Sequence, residues 1–203
     1  MKYLLVGATL SGMADVARIA MSEGADVALF DSEHEPQVPD DVANVTVLPS
    51  DWSASYLAGV DIVVASPWFS PLQEPLVDAI NAGVPVITEA AFGLERITVP
   101  YVAVTGTNGK TTATEAATSM LVASGVQAVA GGNIGNPVSS LVGAEVDVLV
   151  LELSSFQLRF MPGLAPRAAG LLNVASDHLD WHGSVEAYVE AKGAVFKGAS
   201  GDT

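Results

Sequence analysis

The sequence contains no cysteine, which excludes disulfides, thiolate metal sites and cysteine nucleophiles, leaves the redox compartment open and fits the cytosol. It is also short of positive charge: 8 Lys and Arg stand against 23 Asp and Glu, a formal charge of −15. Cations scattered from Lys2 to Lys197 cannot assemble the basic face that a nucleic-acid backbone requires, so no nucleic-acid partner is expected. Long apolar runs are missing too. Gly, Ser, Asp or Pro interrupts every run before the ~18 consecutive apolar residues of a membrane span, and the segment Gly7 to Ser11 breaks the N-terminal run before a signal-peptide core could form. A cytoplasmic chain without membrane contact is the expectation. What is plentiful is core material: 50% of the 203 residues are hydrophobic and only 15% are charged, which rules out a disordered acidic tail. With so few cations, any anionic ligand has to be held by local devices: backbone N–H groups, helix N-termini, a single Lys or bound cations.

Short aliphatic runs alternate with Ala-rich helical stretches, the pattern of parallel βαβ units covered on both sheet faces. Strands are expected at Tyr3 to Val6, Val27 to Phe30, Val45 to Leu48, Ile62 to Ala65 and Val86 to Thr88, with helices from Met13 to about Ser22 and from about Gln73 to Asn81. The acidic stretch Asp31 to Asp41 reads as a solvated loop. A second unit begins with a strand at Tyr101 to Thr105. It continues with a helix from about Thr111 to Ala123, strands near Ala128, at Val148 to Glu152 and at Gly170 to Val174, and a helix from about Ser184 to Phe196. The boundary is placed between Phe92 and Pro100, giving units of residues 1–97 and 98–203. There is no internal repeat and no low-complexity segment.

The strongest local signal is Val104-Thr105-Gly106-Thr107-Asn108-Gly109-Lys110-Thr111-Thr112, following a strand and opening a helix. Gly106 and Gly109 allow backbone N–H groups to curl around phosphate oxygens, Lys110 can reach the β- and γ-phosphates, and the Thr111 hydroxyl can ligate Mg²⁺. The usual first Gly of such a loop falls at Val104, so this is a shortened variant. In Leu151-Glu152-Leu153-Ser154-Ser155-Phe156-Gln157-Leu158 an acid ends an apolar strand. A carboxylate there is costly unless paired or bound to a cation, for which Mg²⁺ beside a phosphate loop is the natural candidate; a strand-end acid that simply reaches water is the alternative. Asn173-Val174-Ala175-Ser176-Asp177-His178-Leu179-Asp180 again follows a strand and precedes the helix that carries Lys192. His178 could be a surface loop residue, or could join Glu152 and a group near Lys192 at the C-terminal sheet edge, where open α/β folds bind ligands.

These segments resemble a known family. The Gly-Thr-Asn-Gly-Lys-Thr-Thr loop is similar to that of the ATP-dependent Mur ligases and folylpolyglutamate synthases, which join an amino acid to a carboxylate through an acyl phosphate. Gly131-Gly132-Asn133-Ile134-Gly135-Asn136-Pro137, together with the Glu152 and His178 segments, narrows the resemblance. It points to the Mur ligases that add D-glutamate to UDP-N-acetylmuramoyl-L-alanine in peptidoglycan synthesis. The resemblance runs from Gly7 to Lys192. It implies a Rossmann-like N-terminal UDP-binding domain followed by the first part of a P-loop-type central ATPase domain. Residues Gly106, Thr107, Asn108, Gly109, Lys110, Thr111 and Thr112 would hold ATP, with Thr111 and Glu152 on one Mg²⁺, and His178 serving a second. Lys192 matches the lysine that the family carbamylates; a plain helix-surface Lys is the alternative. Lys110, Glu152, His178 and Lys192 would carry the chemistry. Asn133, Ser154, Gln157 and His178 would lie at the muramoyl substrate, with Ser155 shaping the same region. Leu10 and Ser11 would receive the UDP diphosphate, Asp31 and Ser32 would meet the uridine, and Ser66 and Pro67 would lie across the crevice.

Gly7-Ala8-Thr9-Leu10-Ser11-Gly12 looks like a dinucleotide fingerprint, but Thr9 stands where the second Gly would let a pyrophosphate approach, so NAD is weakly supported. Three residues depart from the resembled pattern. Glu33 replaces an Arg that commonly follows the Asp-Ser pair, Trp68 replaces a small Gly and would leave the uridine pocket narrower or differently shaped, and Trp181 replaces a residue that is often basic. None is expected to touch the ATP machinery. The resembled family has a longer central domain and a third domain holding the amino-acid site, so this chain is expected to be a truncated form unable to ligate alone. Two other readings stay open: another amide ligase of the same superfamily, and a non-catalytic UDP-sugar or nucleotide-binding module.

Overall fold

The structure, a computed structural model, describes residues 1–8, 12–34, 36, 38, 42 and 45–199. Its first half builds a parallel sheet from β1 (Lys2–Val6), β2 (Asp26–Phe30), β3 (Thr46–Val47), β4 (Ile62–Ala65) and β5 (Val86–Thr88), in the order β3-β2-β1-β4-β5. β1 lies at the centre, and Leu4, Leu5 and Val6 are buried on both faces, as an aliphatic run in a covered parallel sheet must be. Helix α1 (Met13–Ser22) buries the stripe Met13, Val16, Ala17 and Ala20, four positions that 3.6-residue periodicity brings to one side. Helix α2 (Glu74–Asn81), with Pro75 in its first turn where a missing N–H costs nothing, buries Leu76 and Ala79. Helix α3 (Glu89–Leu94) follows β5 directly.

The second half forms another parallel sheet from β6 (Tyr101–Thr105), β7 (Ala128–Gly132), β8 (Val148–Glu152) and β9 (Ala168–Leu171), ordered β7-β8-β6-β9. Helices α4 (Lys110–Ala123), α5 (Ser155–Arg159), α6 (Leu179–His182) and α7 (Val185–Gly193) accompany it. The mixed α/β class with parallel sheets is therefore as the alternating pattern implied. The differences are local. β3 has only two residues, because it is an edge strand that pairs on one side with β2. β9 starts at Ala168, two residues before the expected Gly170, because its register is set by pairing Val102–Thr105 of β6 with Ala168–Leu171. An Ala-Ala-Gly start carries too little strand propensity to be seen locally. The last helix ends as a 3₁₀ turn at Ala194–Phe196. The short helices α3, α5 and α6 were not anticipated.

The two sheets are not joined by a loose tether. One buried cluster links Met13, Val16 and Ala20 of α1 and Phe92 of α3 to Val138, Leu141 and the second sheet's Ala103 and Leu149. A polar contact lies in the same seam. Glu89, buried at the start of α3, accepts the Ser139 N–H at 2.6 Å, and the Ser139 hydroxyl donates to the Gly12 carbonyl at 3.1 Å. Gly12 has φ +83° and its missing Cβ would fall 2.8 Å from the Glu89 side chain, so a side chain there would be strained and would displace Glu89.

Candidate phosphate-loop site

β6 lies between β8 and β9, and the parallel register puts Val104 opposite both Glu152 and Gly170. The loops that leave these strands therefore meet. Gly109, at φ +80°, turns the chain into α4 so that Lys110 is its first residue. Four first-turn N–H groups of a 14-residue helix are then left without helical partners and point at the loop. Neighbouring segments clamp the loop. Asn173, just past β9, accepts the Thr107 N–H with its carbonyl (3.0 Å) and the Asn108 N–H with its side chain (2.9 Å), and donates back to the Asn108 carbonyl (3.0 Å). The Ala175 N–H donates to Thr107 Oγ1 at 2.9 Å, and the Tyr188 hydroxyl stands 2.8 Å from the same oxygen. Lys110 curls back over the loop, its Nζ donating to the Thr107 carbonyl at 3.0 Å. Thr112 is exposed in the first turn of α4.

Glu152 is 2% exposed. Its two carboxylate oxygens are divided between two donors: Oε2 accepts the Thr111 hydroxyl at 2.8 Å and Oε1 accepts Asn133 Nδ2 at 2.9 Å. Asn133 is itself held by its N–H to the Glu152 carbonyl at 2.8 Å. The sequence left open whether this acid reaches water; the structure buries it against the phosphate loop. A hydroxyl and a carboxylate, hard oxygen donors in contact at a helix N-terminus, suit a magnesium ion that shares phosphate oxygens. Among the described residues no three His, Asp or Glu side chains group as a metal site.

Lys192 is also 2% exposed. It shares an inward stripe of α7 with Tyr188 and Ala191, and its Nζ donates to the Gly106 carbonyl at 2.8 Å. Burial, with the nearby Lys110 charge, lowers its pKa to about 8. It is not a helix-surface lysine. His178 has left-handed backbone (φ 49°), a half-exposed side chain and its ring 4.7 Å from that of Phe156. A cavity of about 320 Å³ brings Thr107, Lys110, Asn133, Ser154, His178 and Lys192 together, with Pro67 and Trp68 from the first half on its rim.

One expectation changes. Trp68 is not remote from the phosphate loop: it lines the cavity that holds Lys110 and Lys192. Asp31 and Ser32 line a separate cavity of about 580 Å³ with Glu33 and Pro36. Asp31 is buried and its Oδ1 accepts the Glu33 and His34 N–H groups at 3.0 and 3.2 Å. Gln157 does not line the 320 Å³ cavity. Its Oε1 accepts the Ser154 N–H (3.0 Å) and hydroxyl (3.1 Å) while Ser154 Oγ accepts the Gln157 N–H (3.2 Å), a closed capping box for α5. Ser66 is wholly buried and shapes the loop after β4, its carbonyl accepting the Phe69 N–H. Trp181 is buried against Phe156. Leu10 and Ser11 lie outside the described residues. Three supports were missed: Asn173, Tyr188 and His182. His182 Nε2 lies 3.0 Å from Ser155 Oγ, and burial, followed by the positive neighbours His178, Lys192 and Arg159, lowers its pKa to about 4. Asn173 ends its strand as Glu152 ends β8, and Tyr188 precedes Lys192 by one helical turn; both were signals available in the sequence.

The fold and this strand–loop–helix geometry define an α/β protein of the P-loop type. Comparison with known proteins narrows the class. Residues 1–88 match the family model "Mur ligase MurD-like, N-terminal domain" and residues 104–203 match "Mur ligase middle domain". The chain is 42% identical over 202 residues to the UDP-N-acetylmuramoylalanine–D-glutamate ligase of Mycolicibacterium vanbaalenii, covering 96% of this chain and 42% of that protein. It is 37% identical over 210 residues to the enzyme of the same name from Natranaerobius thermophilus, covering 97% and 46%. The chain belongs to the Mur ligase family. It spans less than half the length of these relatives. In structure it is similar to UDP-N-acetylmuramate-alanine ligase from Thermotoga maritima, with TM-score 0.51 and 24% identity, covering all of this chain and 48% of that one. It is also similar to the UDP-N-acetylmuramate:L-alanyl-γ-D-glutamyl-meso-diaminopimelate ligase from Neisseria meningitides, with TM-score 0.55 and 18% identity over 98% and 68% of the two chains; both likenesses speak to the fold. No helix among the described residues is long and apolar enough to cross a membrane.

Proposed function

We propose that this chain supplies the UDP-substrate and ATP sites of an ATP-dependent ligase that adds D-glutamate to UDP-N-acetylmuramoyl-L-alanine. The observation that carries this reading is the contact of Thr111 and Glu152 at 2.8 Å beside a clamped phosphate loop. The 37–42% identity to D-glutamate ligases over nearly the whole chain supports the choice of substrates. In this reading residues 1–97 form the UDP-binding unit and residues 98–203 the first part of the ATP-binding unit, a division supported by the two separate sheets.

The loop amides of Gly106 to Lys110 and the Lys110 ammonium hold the β- and γ-phosphates of ATP. Thr111 and Glu152 would hold one Mg²⁺ and His178, with Lys192 if carbamylated, would serve a second; such ions would supply positive charge against the phosphates. Asn133 and Ser154 orient the alanyl carboxylate of the substrate, which takes the γ-phosphoryl group to become an acyl phosphate. The amine of D-glutamate then displaces phosphate to form the amide. Lys110 spreads charge on the moving phosphoryl group and makes no covalent bond, the electrostatic route general to phosphoryl transfer. Carbamylation of Lys192 requires the neutral amine, which adds CO₂ and releases one proton; a pKa of about 8 leaves enough neutral amine for this near neutrality.

Calorimetric titration of the purified chain with UDP-N-acetylmuramoyl-L-alanine and with Mg-ATP tests the reading. Binding of both is expected. Tight binding of the UDP ligand without ATP would favour a non-catalytic module. A full-length protein carrying this chain is expected to accept D-glutamate over L-alanine and meso-diaminopimelate; preference for either of the others would move it to another branch of the family.

A further inference from the structure

Trp68 is the largest exposed apolar side chain of the described residues, 73% accessible, and it stands on the rim of the reaction cavity. It is displayed there by its neighbours. On one side, Ser66 is buried, with its N–H on the Val6 carbonyl at 2.8 Å. On the other, Phe69 is buried against Gly7, and the Ser70 hydroxyl donates to the Trp181 carbonyl at 3.1 Å, tying the loop to the second half of the molecule. Both flanks of the indole are thereby fixed. An exposed tryptophan on a pinned loop is a preorganised apolar face, and binding to it costs little ordering entropy.

The sheet order says which part of a ligand reaches that face. β2, carrying the Asp31–Ser32 cavity at its end, and β4, carrying Trp68, flank β1 on opposite sides, so their ends are roughly 10 Å apart. Lys110, Asn133 and Lys192, all from the second half, line the cavity together with Pro67 and Trp68 of the first. A ligand with its nucleoside at β2 and its carboxylate at Lys110 must pass its central portion across the Trp68 loop. We propose that Trp68 is a specificity-determining stacking surface for the hexosamine ring of the UDP-sugar substrate. The inference rests on the function proposed above and adds a residue that the family resemblance does not supply, since a small Gly is usual at this position.

The test titrates the chain, as wild type, Trp68→Gly and Trp68→Phe, with UDP, with UDP-N-acetylmuramoyl-L-alanine and with Mg-ATP. Trp68→Gly is expected to weaken the muramoyl ligand by about tenfold while UDP and Mg-ATP stay within about twofold, and Trp68→Phe to recover most of the loss. Wild type is also expected to show a blue shift of tryptophan emission on adding the muramoyl ligand that is absent in Trp68→Phe. Equal affinity of wild type and Trp68→Gly for the muramoyl ligand would overturn the inference and leave the proposed function standing. An equal loss for UDP or Mg-ATP would place the indole against a base and overturn it as well. Failure of the wild type to bind either UDP ligand would instead overturn the functional reading, and this one with it.

Discussion

At the scale of single residues the site is organised around one buried acid. Glu152 has both oxygens in use, toward Thr111 and Asn133. Glu152→Gln keeps the volume and one acceptor, so the melting temperature is expected to change by only a few degrees, while Mg²⁺-dependent ATP binding falls at least about tenfold. Glu152→Ala strands two donors and is expected to cost about 1–3 kcal/mol in urea unfolding as well. An unchanged magnesium dependence in the Gln variant would remove Glu152 from the metal site. For Lys192 the pH dependence has a definite sign: with its pKa lowered to about 8, the neutral amine and hence the carbamate increase as pH rises through that value. Carbon-13 NMR with labelled bicarbonate should show a carbamate signal that grows from pH 7 to 9 and is absent in Lys192→Arg. Lys110, Thr111 and Glu152 were legible in sequence because a glycine loop and an acid ending an apolar run carry their chemistry in adjacent residues. For Gln157 the local pattern was ambiguous for a physical reason: Ser-x-x-Gln is equally the signature of a capping box, and the structure closes that box.

Among elements, the contact between α1, α3 and the turn before Leu141 couples the two halves. Burial raises the Glu89 pKa, opposed by the Ser139 hydrogen bond. A carboxyl whose folded pKa lies above its ordinary value binds more protons folded than unfolded, so its contribution to stability is lost as pH rises from about 4.5 through the raised value. Glu89→Gln retains an acceptor for the Ser139 N–H without the buried charge. It is expected to equal or exceed wild-type stability at pH 7 and to flatten this slope, whereas Glu89→Ala loses about 1–3 kcal/mol; guanidinium unfolding across pH distinguishes them. A less stable Gln variant at pH 7 would mean that the charge itself holds the seam. The elements not read from sequence, α3, α5 and α6, have six, five and four residues. Helices that short do not persist alone, and they form here through caps and neighbours such as Thr88 Oγ1 accepting the Ala91 N–H at 3.3 Å.

For the whole molecule, the aromatic cluster of Phe156, Trp181, His182 and Tyr188 supports the rear of the site. His182 titrates near 4 when folded against 6.5 in its ordinary state, so the unfolded chain takes up the proton first. Stability is therefore expected to fall as pH drops from 6.5 toward 4, by up to about 3 kcal/mol, and His182→Gln should remove that part of the slope in urea unfolding at pH 7 and 5. An identical slope in the variant would assign the acid sensitivity elsewhere. The sequence alone was enough for the parallel α/β class, because buried parallel strands leave uninterrupted aliphatic runs between helical stretches. It was enough too for the phosphate loop, whose parts are contiguous, and for the local devices that a charge of −15 imposes on any anion binder. Only the tertiary structure decided that Glu152 meets Thr111, 41 residues away, that Lys192 is buried on the carbonyl of Gly106, 86 residues away, and that Trp68 lines one cavity with Lys110 and Lys192. Those contacts follow from strand order and register, which pair residues distant in the chain and which no local pattern of residues specifies.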